Sequence, residues 1–249
     1  MAKTRKKYRL LSESKVVNGR TVYRIQAIRS FDDVRKGDLG GFVESYCNLS
    51  NEGNSWIYDD AVVLDSARVT CNSKVYGQSL LQDYAFASGN SEISDNVVLK
   101  DSAHITGNAH AYDNATLNDD TTMSDDSMIQ GNASIHGTTI LGGYTLVGDN
   151  VKIIDCHFKG GQTIKGDLTI TEETQVFTFY DNWYSQRHFT YTVPNKMWTS
   201  DDKDFSGTGE EFIEHFTTYY SKFAGKMISA YVKFVKELEK IVEEENNDQ

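Results

Sequence analysis

Residues 54–155 repeat with a period of six, without an insertion or a deletion, through seventeen consecutive hexads. The second position of each hexad is Ala, Ser, Thr or Val, and the fourth is Ile, Val, Leu or Met except at Ala87 and Ala111. The sixth position is Asp or Gly everywhere except at Cys71. A repeat of this regularity constrains the fold more than local propensity does, because every hexad must form the same structural unit.

One large and one small inward position in six residues match neither common periodicity. A strand alternates with period two, and an amphipathic helix has a period of 3.6 residues. A short strand followed by a corner does fit, because the fourth residue fills the interior and Asp or Gly at the sixth turns the chain. Three hexads then form one triangular coil, and successive coils pair in parallel about 4.8 Å apart. The sequence therefore predicts a mainly β protein, a parallel β-helix of about six coils.

The segments on either side of the repeat lose its period. In the first segment, apolar and polar residues alternate over 22–28, and Gly37, Gly40 and Gly41 are interpreted as turn residues. A β-rich cap is predicted there, covering the unpaired backbone edge of the first coil. The chain thus divides into a cap, a β-helix that ends in one degraded coil, and a C-terminal module, over residues 1–53, 54–175 and 176–249.

The C-terminal module is predicted to be a β-hairpin followed by helices. Two aromatic-rich runs, 176–184 and 188–193, supply the hairpin strands, and Thr208 with Glu211 matches a helix capping box. Five apolar residues then follow at coiled-coil spacing: Met227, Tyr231, Phe234, Leu238 and Ile241. This stripe packs either on the hairpin or on a face of the β-helix, or it joins the subunits of a homodimer or homotrimer.

Asn-Ala pairs open three hexads, at residues 108, 114 and 132, and their N-A-x-[VI]-x-G rhythm resembles the hexapeptide-repeat proteins that form left-handed β-helices. The N-terminal stretch KYRLLSESKVVNGRTVYRIQAIRSFDDVRKGDLGGFVESYCNLSNEGNSWIYDDA is similar to the start of the YdcK-like hexapeptide-repeat proteins of phage and bacterial genomes. The tail FTFYDNWYSQRHFTYTV…GTGEEFIEHF is similar to the short β-plus-helix module that ends many phage members. A left-handed helix and a phage setting are what this resemblance implies.

The cysteine content and the hydropathy favour a cytoplasmic location. Cys47, Cys71 and Cys156 are an odd number without framework spacing, which favours a reducing environment. No apolar run reaches transmembrane length, and no hydrophobic stretch follows the basic N-terminus. The expected location is the cytoplasm, that of the host cell if the protein is phage-encoded.

The net charge of −11 is concentrated in the repeat. Residues 54–155 contain fourteen acidic and four basic residues, which gives a net charge of −10, whereas the first nine residues contain five basic ones. Phosphate contacts require clustered Lys and Arg, so direct binding of nucleic acid is not expected. The predicted partner is a protein with a basic surface, and no membrane interaction is predicted.

One corner of the predicted prism carries a row of aspartates. Residues 18 apart are vertical neighbours, so the hexads starting at 54, 60 and 66 define a first, a second and a third face. The corner after the second face holds the acidic ladder, with about 4.8 Å between rungs: Asp65, Asp83, Asp101 and Asp119. Each Asp accepts backbone amides at its turn, or the row mimics a phosphate backbone, or it holds divalent cations. The last is disfavoured because such cations require six or more oxygen ligands, and no metal site is predicted.

Two faces carry large side chains in outward positions. The first face bears an aromatic column that is interrupted at Ser94: Trp56, Tyr58, Tyr76 and Tyr112. The second face stacks an apolar strip: Val62, Leu80 and Val98. An apolar strip of this kind is exposed unless something covers it. The C-terminal helix, a second subunit and a foreign partner are the candidates.

The histidines bear on an enzymatic function, because hexapeptide β-helices include acyltransferases with a His base and zinc carbonic anhydrases with three converging His. His104, His110 and His136 are expected to point outward on three different faces, without a carboxylate orienter in register. Cys71 is interpreted as a tolerated small residue rather than as a nucleophile. No catalytic residue and no cofactor is predicted.

The leading hypothesis is a non-catalytic acidic interaction protein, phage-borne, that binds and inhibits a basic or nucleic-acid-handling host defence protein. The first alternative is a structural β-helix protein that self-assembles through the apolar strip or the C-terminal stripe. The second alternative is a hexapeptide-repeat acyltransferase with an unrecognised donor site.

Overall fold

The computed structural model describes residues 6–180, 187–200, 205–220 and 225–247. They form a parallel β-solenoid of about seven turns, preceded by a β-structured cap and followed by an antiparallel sheet and two helices. The predicted mainly β class and the parallel β-helix are confirmed.

Each hexad forms one short strand and one corner. The twenty solenoid strands, β4 to β23 in chain order, are Trp56–Ile57, Val62–Val63, Arg68–Val69, Lys74–Val75, Leu80–Leu81, Phe86–Ala87, Glu92–Ile93, Val98–Leu99, His104–Ile105, His110–Ala111, Thr116–Leu117, Thr122–Met123, Met128–Ile129, Ser134–His136, Ile140–Leu141, Leu146–Val147, Lys152–Ile154, His157–Phe158, Thr163–Ile164 and Thr169–Ile170. Every third strand belongs to the same face, so β4, β5 and β6 begin the first, second and third faces.

The vertical register is 18 residues through the regular repeat and 17 after it. Ile93 pairs with Val75 below and with Ala111 above, whereas Leu141 pairs with Phe158. One residue is missing from the hexad that follows residue 155, yet the corner still closes. The solenoid consequently continues through the degraded coil as far as β23, about one turn beyond the regular hexads.

The interior is built from the fourth and second positions of the hexads. Residues at the fourth position, such as Ile93 and Ile129, are fully buried, and so are the small residues at the second position, such as Ser91 and Ala115. Burying one aliphatic side chain contributes about 1.5–3 kcal/mol. The fourth-position residues of the three faces together give the solenoid a continuous core.

The sixth position takes a left-handed backbone conformation in all seventeen regular hexads, with φ between +50° and +70°. This conformation costs an ordinary L-residue about 1–2 kcal/mol, whereas Gly and, less readily, Asp adopt it. The conformation therefore explains why the sixth position is restricted to Asp and Gly. Cys71, at φ +57°, is the exception.

The N-terminal cap extends the second face downward. Strand β3 (Leu39–Val43) pairs in parallel with β5, β2 (Arg20–Ala27) pairs antiparallel with β3, and β1 (Tyr8–Val17) pairs antiparallel with β2.

Two of the three cap glycines serve close packing rather than a turn. Gly37 does lie in a turn, at φ +103°. Gly40 and Gly41 lie inside β3, where a Cβ atom would approach the carbonyl oxygens of Ile57 and Ala61 to 2.6 and 2.4 Å. The turn role predicted for these two residues is therefore wrong, because strand β3 must pack directly against the first coil.

The cap also closes the open lower end of the solenoid. Trp56 is only 1% exposed, because its ring packs edge-on against Tyr8 and Phe31. The prediction that Trp56 lies on an outer surface is thus wrong. Lys7 is fully buried beside it, and its Nζ donates to the carbonyl oxygen of Ser55 at 2.7 Å and to the hydroxyl at 3.1 Å.

The tip of the β1–β2 hairpin covers the apolar strip of the second face. Val62 is buried in a cluster with Val22 and Phe42, and Leu80 packs against the same cluster. Val98, one coil higher, is partly buried. The cap, which was not among the predicted candidates, thus covers the lower part of the strip. The sequence did not predict this cover, because a residue pattern does not show where a hairpin folds back.

The C-terminal module contains four antiparallel strands and two helices: β24 (Val176–Tyr180), β25 (His188–Thr192), β26 (Met197–Ser200), β27 (Ser206–Gly207), α1 (Gly209–Tyr220) and α2 (Gly225–Asn247). The predicted hairpin is confirmed as the β24–β25 pair, although residues 181–184 of its first run lie outside the described residues. The module docks on β22, where the amide of Thr163 donates to the hydroxyl of Thr190 at 2.9 Å. The upper end of the solenoid is thereby covered.

Helix α1 begins with the predicted capping box. The amide of Thr208 donates to the Glu211 carboxylate at 2.8 Å, and the amide of Glu211 donates to the Thr208 hydroxyl at 3.4 Å.

The buried stripe of α2 is shifted by one residue at two positions, to Val235 and Val242 instead of Phe234 and Ile241. Val235 and Val242 are buried on the sheet, with Tyr231 and Leu238 partly buried beside them. The predicted stripe members Phe234 and Ile241 are 38% and 47% exposed. The side chain of Met227 lies outside the described residues. The coiled-coil spacing was misleading because the helix packs on a sheet, whose contact residues need not follow a heptad.

Lys7 predicts a pH dependence of stability. Burial, with the charge of Arg29 nearby, lowers the pKa of Lys7 from 10.5 to about 8. Between these values the unfolded chain binds more protons than the folded protein, so stability increases as pH rises. Urea unfolding at pH 7.5 and 9.5 should show the free energy of unfolding of the wild type gaining about 2 kcal/mol relative to Lys7→Met. Lys36→Met, at an exposed lysine, is the matched control and should follow the wild type. Parallel curves for the wild type and Lys7→Met would contradict this account.

Candidate functional site

Each carboxylate of the acidic ladder bonds the backbone of the coil above it. The Oδ2 atom of Asp65, Asp83 and Asp101 accepts the amide of the next rung at 3.4, 3.3 and 3.2 Å, and that of Asp119 accepts the amide of Gly137 at 2.9 Å. The predicted turn role of these aspartates is correct in kind, but the amide belongs to the following coil. One oxygen of each carboxylate is thereby used, and the other takes no part in this bond.

The ladder begins one rung lower than the repeat does, in the cap. The Oε2 atom of Glu44 accepts the amide of Asp65 at 2.7 Å, so Glu44 serves the first coil as each Asp serves the next. Sequence reasoning missed this residue because it precedes the hexads. By register it lies one coil below Leu64, next to Asp65, and this position is visible only once strand β3 is placed.

A guanidinium group already occupies the lowest two rungs. The Nε atom of Arg20, from the β1–β2 hairpin, lies 3.1 Å from Oδ1 of Asp65, and its Nη1 atom lies 3.7 Å from Oε1 of Glu44. Asp65 therefore binds an amide with one oxygen and an arginine with the other. A rung can therefore bind a guanidinium group and hold the amide of the next coil at the same time.

The rungs above have no such partner. Within the described part of the chain, no Lys or Arg lies within ion-pair distance of Asp83 or Asp101. The side chain of Asp119 lies 3.7 Å from Nδ1 of His136. The upper ladder therefore presents uncompensated negative charge.

An open groove of about 410 Å³ runs beside the lower ladder. Its lining includes Arg20, Asp65 and Asp83, together with Tyr84, whose side chain is 70% exposed. Tyr84 occupies the first position of its hexad and was not singled out by the repeat. An exposed ring next to a carboxylate can stack on a planar cation while the carboxylate pairs with it.

The aromatic column of the first face starts with a stacked pair. The rings of Tyr58 and Tyr76 lie 4.3 Å apart at an angle of 16°. The Tyr58 hydroxyl donates to Asp33 at 2.8 Å, and burial together with this bond raises the pKa of Tyr58. Lys74 is held from the same loop, by Asp32 at 2.9 Å and by Asp33 at 3.1 Å.

Tyr112, two coils above Tyr76, is fixed by a histidine. Its hydroxyl forms a hydrogen bond with Nδ1 of His110 at 2.8 Å, and the two rings are nearly parallel. The same Nδ1 atom lies 3.7 Å from Glu92.

A serine, a histidine and an aspartate meet on the second face. Nε2 of His136 lies 2.7 Å from the Ser134 hydroxyl, and Nδ1 lies 3.7 Å from Oδ2 of Asp119. The prediction that no outward histidine has a carboxylate orienter is therefore wrong for His136, and Glu92 makes it wrong for His110. Both carboxylates come from the coil below: Glu92 is the register partner of His110 and was overlooked, whereas Asp119 reaches His136 from one position off register.

The backbone amides nearest to His136 are already used by the solenoid. Acyl transfer requires preorganised N–H donors for a developing oxyanion. The amides of Ser134 and Asn118 donate to the carbonyl oxygens of Val151 and Ile135, and the amide of Gly137 donates to the Asp119 carboxylate. All three amides are therefore already used in bonds between coils. His104, on the third face, contacts Phe86 edge-on. The non-catalytic character of the protein stays a prediction.

Two further classes of site are absent from the described residues. No group of three His, Cys, Asp or Glu side chains there is placed to hold a metal ion. No helix in the described ranges is long and apolar enough to span a membrane.

No protein-family model matches this chain, and no curated protein matches it either. The resemblance to YdcK-like proteins therefore remains one of motifs, and the fold rests on the structure.

The ladder geometry predicts different effects for two substitutions of one rung. Asp101→Asn retains an oxygen acceptor for the amide of Asp119 and tolerates the left-handed backbone, so the free energy of unfolding should change by less than about 0.5 kcal/mol. Asp101→Ala loses the acceptor and strains the backbone, and should lose about 2–3 kcal/mol. Urea denaturation measures both. Equal losses in the two variants would show that charge, rather than the hydrogen-bond acceptor, holds the corner.

Proposed function

We propose that this protein is a non-catalytic acidic interaction protein that binds an arginine-rich protein surface through the acidic ladder. The observation that carries the proposal is that the Arg20 guanidinium forms ion pairs with both Glu44 and Asp65. Asp83 and Asp101 form a similar pair of stacked carboxylates two coils higher, without a basic residue of the described chain at ion-pair distance.

Preorganisation favours this function. The amide bonds that close each corner also fix each carboxylate, so binding loses little side-chain entropy. A guanidinium matches a carboxylate with paired N–H donors, which makes arginine the better partner in a desolvated contact. The exposed ring of Tyr84 adds a surface on which a guanidinium can stack.

The partner that we propose is a basic or nucleic-acid-handling host protein. The solenoid would bind and inhibit it in the cytoplasm. A rung spacing of about 4.8 Å is of the same order as the 3.4 Å axial spacing of phosphates along one DNA strand. A rigid row of this kind suits a channel that binds a phosphate backbone. The resemblance to phage-borne YdcK-like proteins supports this setting and carries with it the expectation of a left-handed solenoid.

The proposal predicts that affinity depends on the ladder rather than on net charge. A variant with all four rungs changed to Asn has a net charge of −7, from −11 plus four. A matched control with the same net charge replaces four aspartates of the other corners: Asp59, Asp113, Asp125 and Asp149. Titration with a fluorescent nona-arginine peptide at low and high salt should show binding weakened about tenfold in the ladder variant and about twofold in the control.

Equal weakening in the two variants would contradict a ladder-specific site and would leave only a diffuse acidic surface. Circular dichroism decides whether each variant is folded. Because Asn can accept the corner amides, both variants are expected to retain the solenoid signal.

Self-association is a second candidate function, and Ile241 favours it. This residue projects from α2 with 47% exposure, in the stripe that was predicted to join a homodimer or homotrimer. Phe234 is a poorer probe because its ring packs 4.6 Å from Phe179, so changing it would disturb the module. Sedimentation velocity should show an oligomer that Ile241→Asp dissociates. A wild type that sediments as a monomer throughout would remove this candidate.

A further inference from the structure

We propose a second guanidinium-binding site, on the first face, in the gap that Ser94 leaves in the aromatic column. This site goes beyond the proposed ladder function, since it lies on another face and uses stacking as well as charge. Its occupant is an arginine side chain of a protein partner.

The gap has the height of one missing ring. The amide of Tyr76 donates to Ile93 at 2.8 Å, and the amide of Ser94 donates to Ala111 at 2.9 Å, so Ser94 lies between Tyr76 and Tyr112 in register. Tyr76 and Tyr112 are therefore two coils apart, about 9–10 Å along the solenoid. A planar group in contact with a ring on each side needs about 7–8 Å.

The lower wall of the gap is already organised for stacking. Tyr58 supports the ring of Tyr76 from below at 4.3 Å, and nearly parallel to it. Ser94, at the base of the gap, has a small side chain, and its hydroxyl is engaged because it donates to the Asp95 carboxylate at 2.7 Å. The next ring in the column, Tyr112, is held by its bond to His110.

The charge beside the gap selects a cation. Glu92 is the strand neighbour of both Lys74 and His110. Lys74 bonds Asp32 and Asp33 instead, so the only ion pair of Glu92 within the described residues is the 3.7 Å contact with His110. Burial raises the pKa of Tyr112, and the nearby charges of Glu92 and Asp95 raise it further, which reflects the same negative field.

A guanidinium fits these constraints better than the other planar or cationic groups do. It is flat, always charged and weakly hydrated, and it stacks on aromatic rings while it pairs with a carboxylate. A lysine ammonium is compact and strongly hydrated, so it cannot fill a flat gap between rings. A nucleotide would bring its phosphate next to Glu92 and Asp95, where like charges repel.

The test is a titration with acetyl-arginine amide, followed by NMR at the amides of Tyr76, Ser94 and Tyr112. We expect saturable shifts at all three amides and binding of acetyl-lysine amide that is about fivefold weaker. Ser94→Tyr, which fills the gap with the ring that the column carries elsewhere, should abolish the shifts. Ser94→Ala leaves the gap open and should bind within about twofold of the wild type. Glu92→Gln should weaken binding about fivefold.

Unchanged arginine binding in both Ser94→Tyr and Glu92→Gln would overturn the site. So would equal affinity for the arginine and lysine amides, or preferential binding of adenosine monophosphate. Glu92→Gln decides the question alone if Ser94→Tyr does not fold. The ladder variant, with its four rungs changed to Asn, should retain the shifts, so failure of this site and failure of the ladder are distinguishable.

Discussion

The left-handed corner residue is the constraint on which the rest of the structure depends. Each hexad turns at φ between +50° and +70°, which admits Gly without cost and Asp at little cost. Where Asp is used, its carboxylate accepts an amide of the following coil, as Asp101 does from Asp119. One residue thus turns the chain and bonds two coils together. The stacked like charges are the cost of this arrangement, which the amide bonds offset.

The acidic surface is a consequence of corner geometry, and the proposed function makes use of it. Only one oxygen of each rung is needed to hold the next coil, as Asp65 shows by binding Asp83 with one oxygen and Arg20 with the other. The same regularity places side chains of the first face one above another, so that a single small residue, Ser94, leaves a gap of one ring. Both proposed sites are therefore defined by the 18-residue register.

The fold was predictable because the repeat is strictly local and self-consistent. Every buried fourth-position residue and every left-handed corner follows from the hexad itself. The structures at the two ends were less predictable. The burial of Trp56, the hairpin over Val62 and the one-residue shift in α2 depend on how non-repeating segments fold back. Arg20, Glu44 and Tyr84, which complete the ladder site, carry no periodic signal, and the contact of His136 with Asp119 depends on side-chain reach between coils.

The measurement that tests the central claim most directly is carbon-detected NMR of the aspartate carboxylates during titration with nona-arginine. The claim is that one carboxylate closes a corner and binds a partner at the same time. It predicts saturable shifts of the Asp83 and Asp101 carboxyl carbons, while the amides of Asp101 and Asp119 remain slow to exchange with deuterium. Equal shifts at Asp59 and Asp149, or rapid exchange of the corner amides on binding, would contradict it.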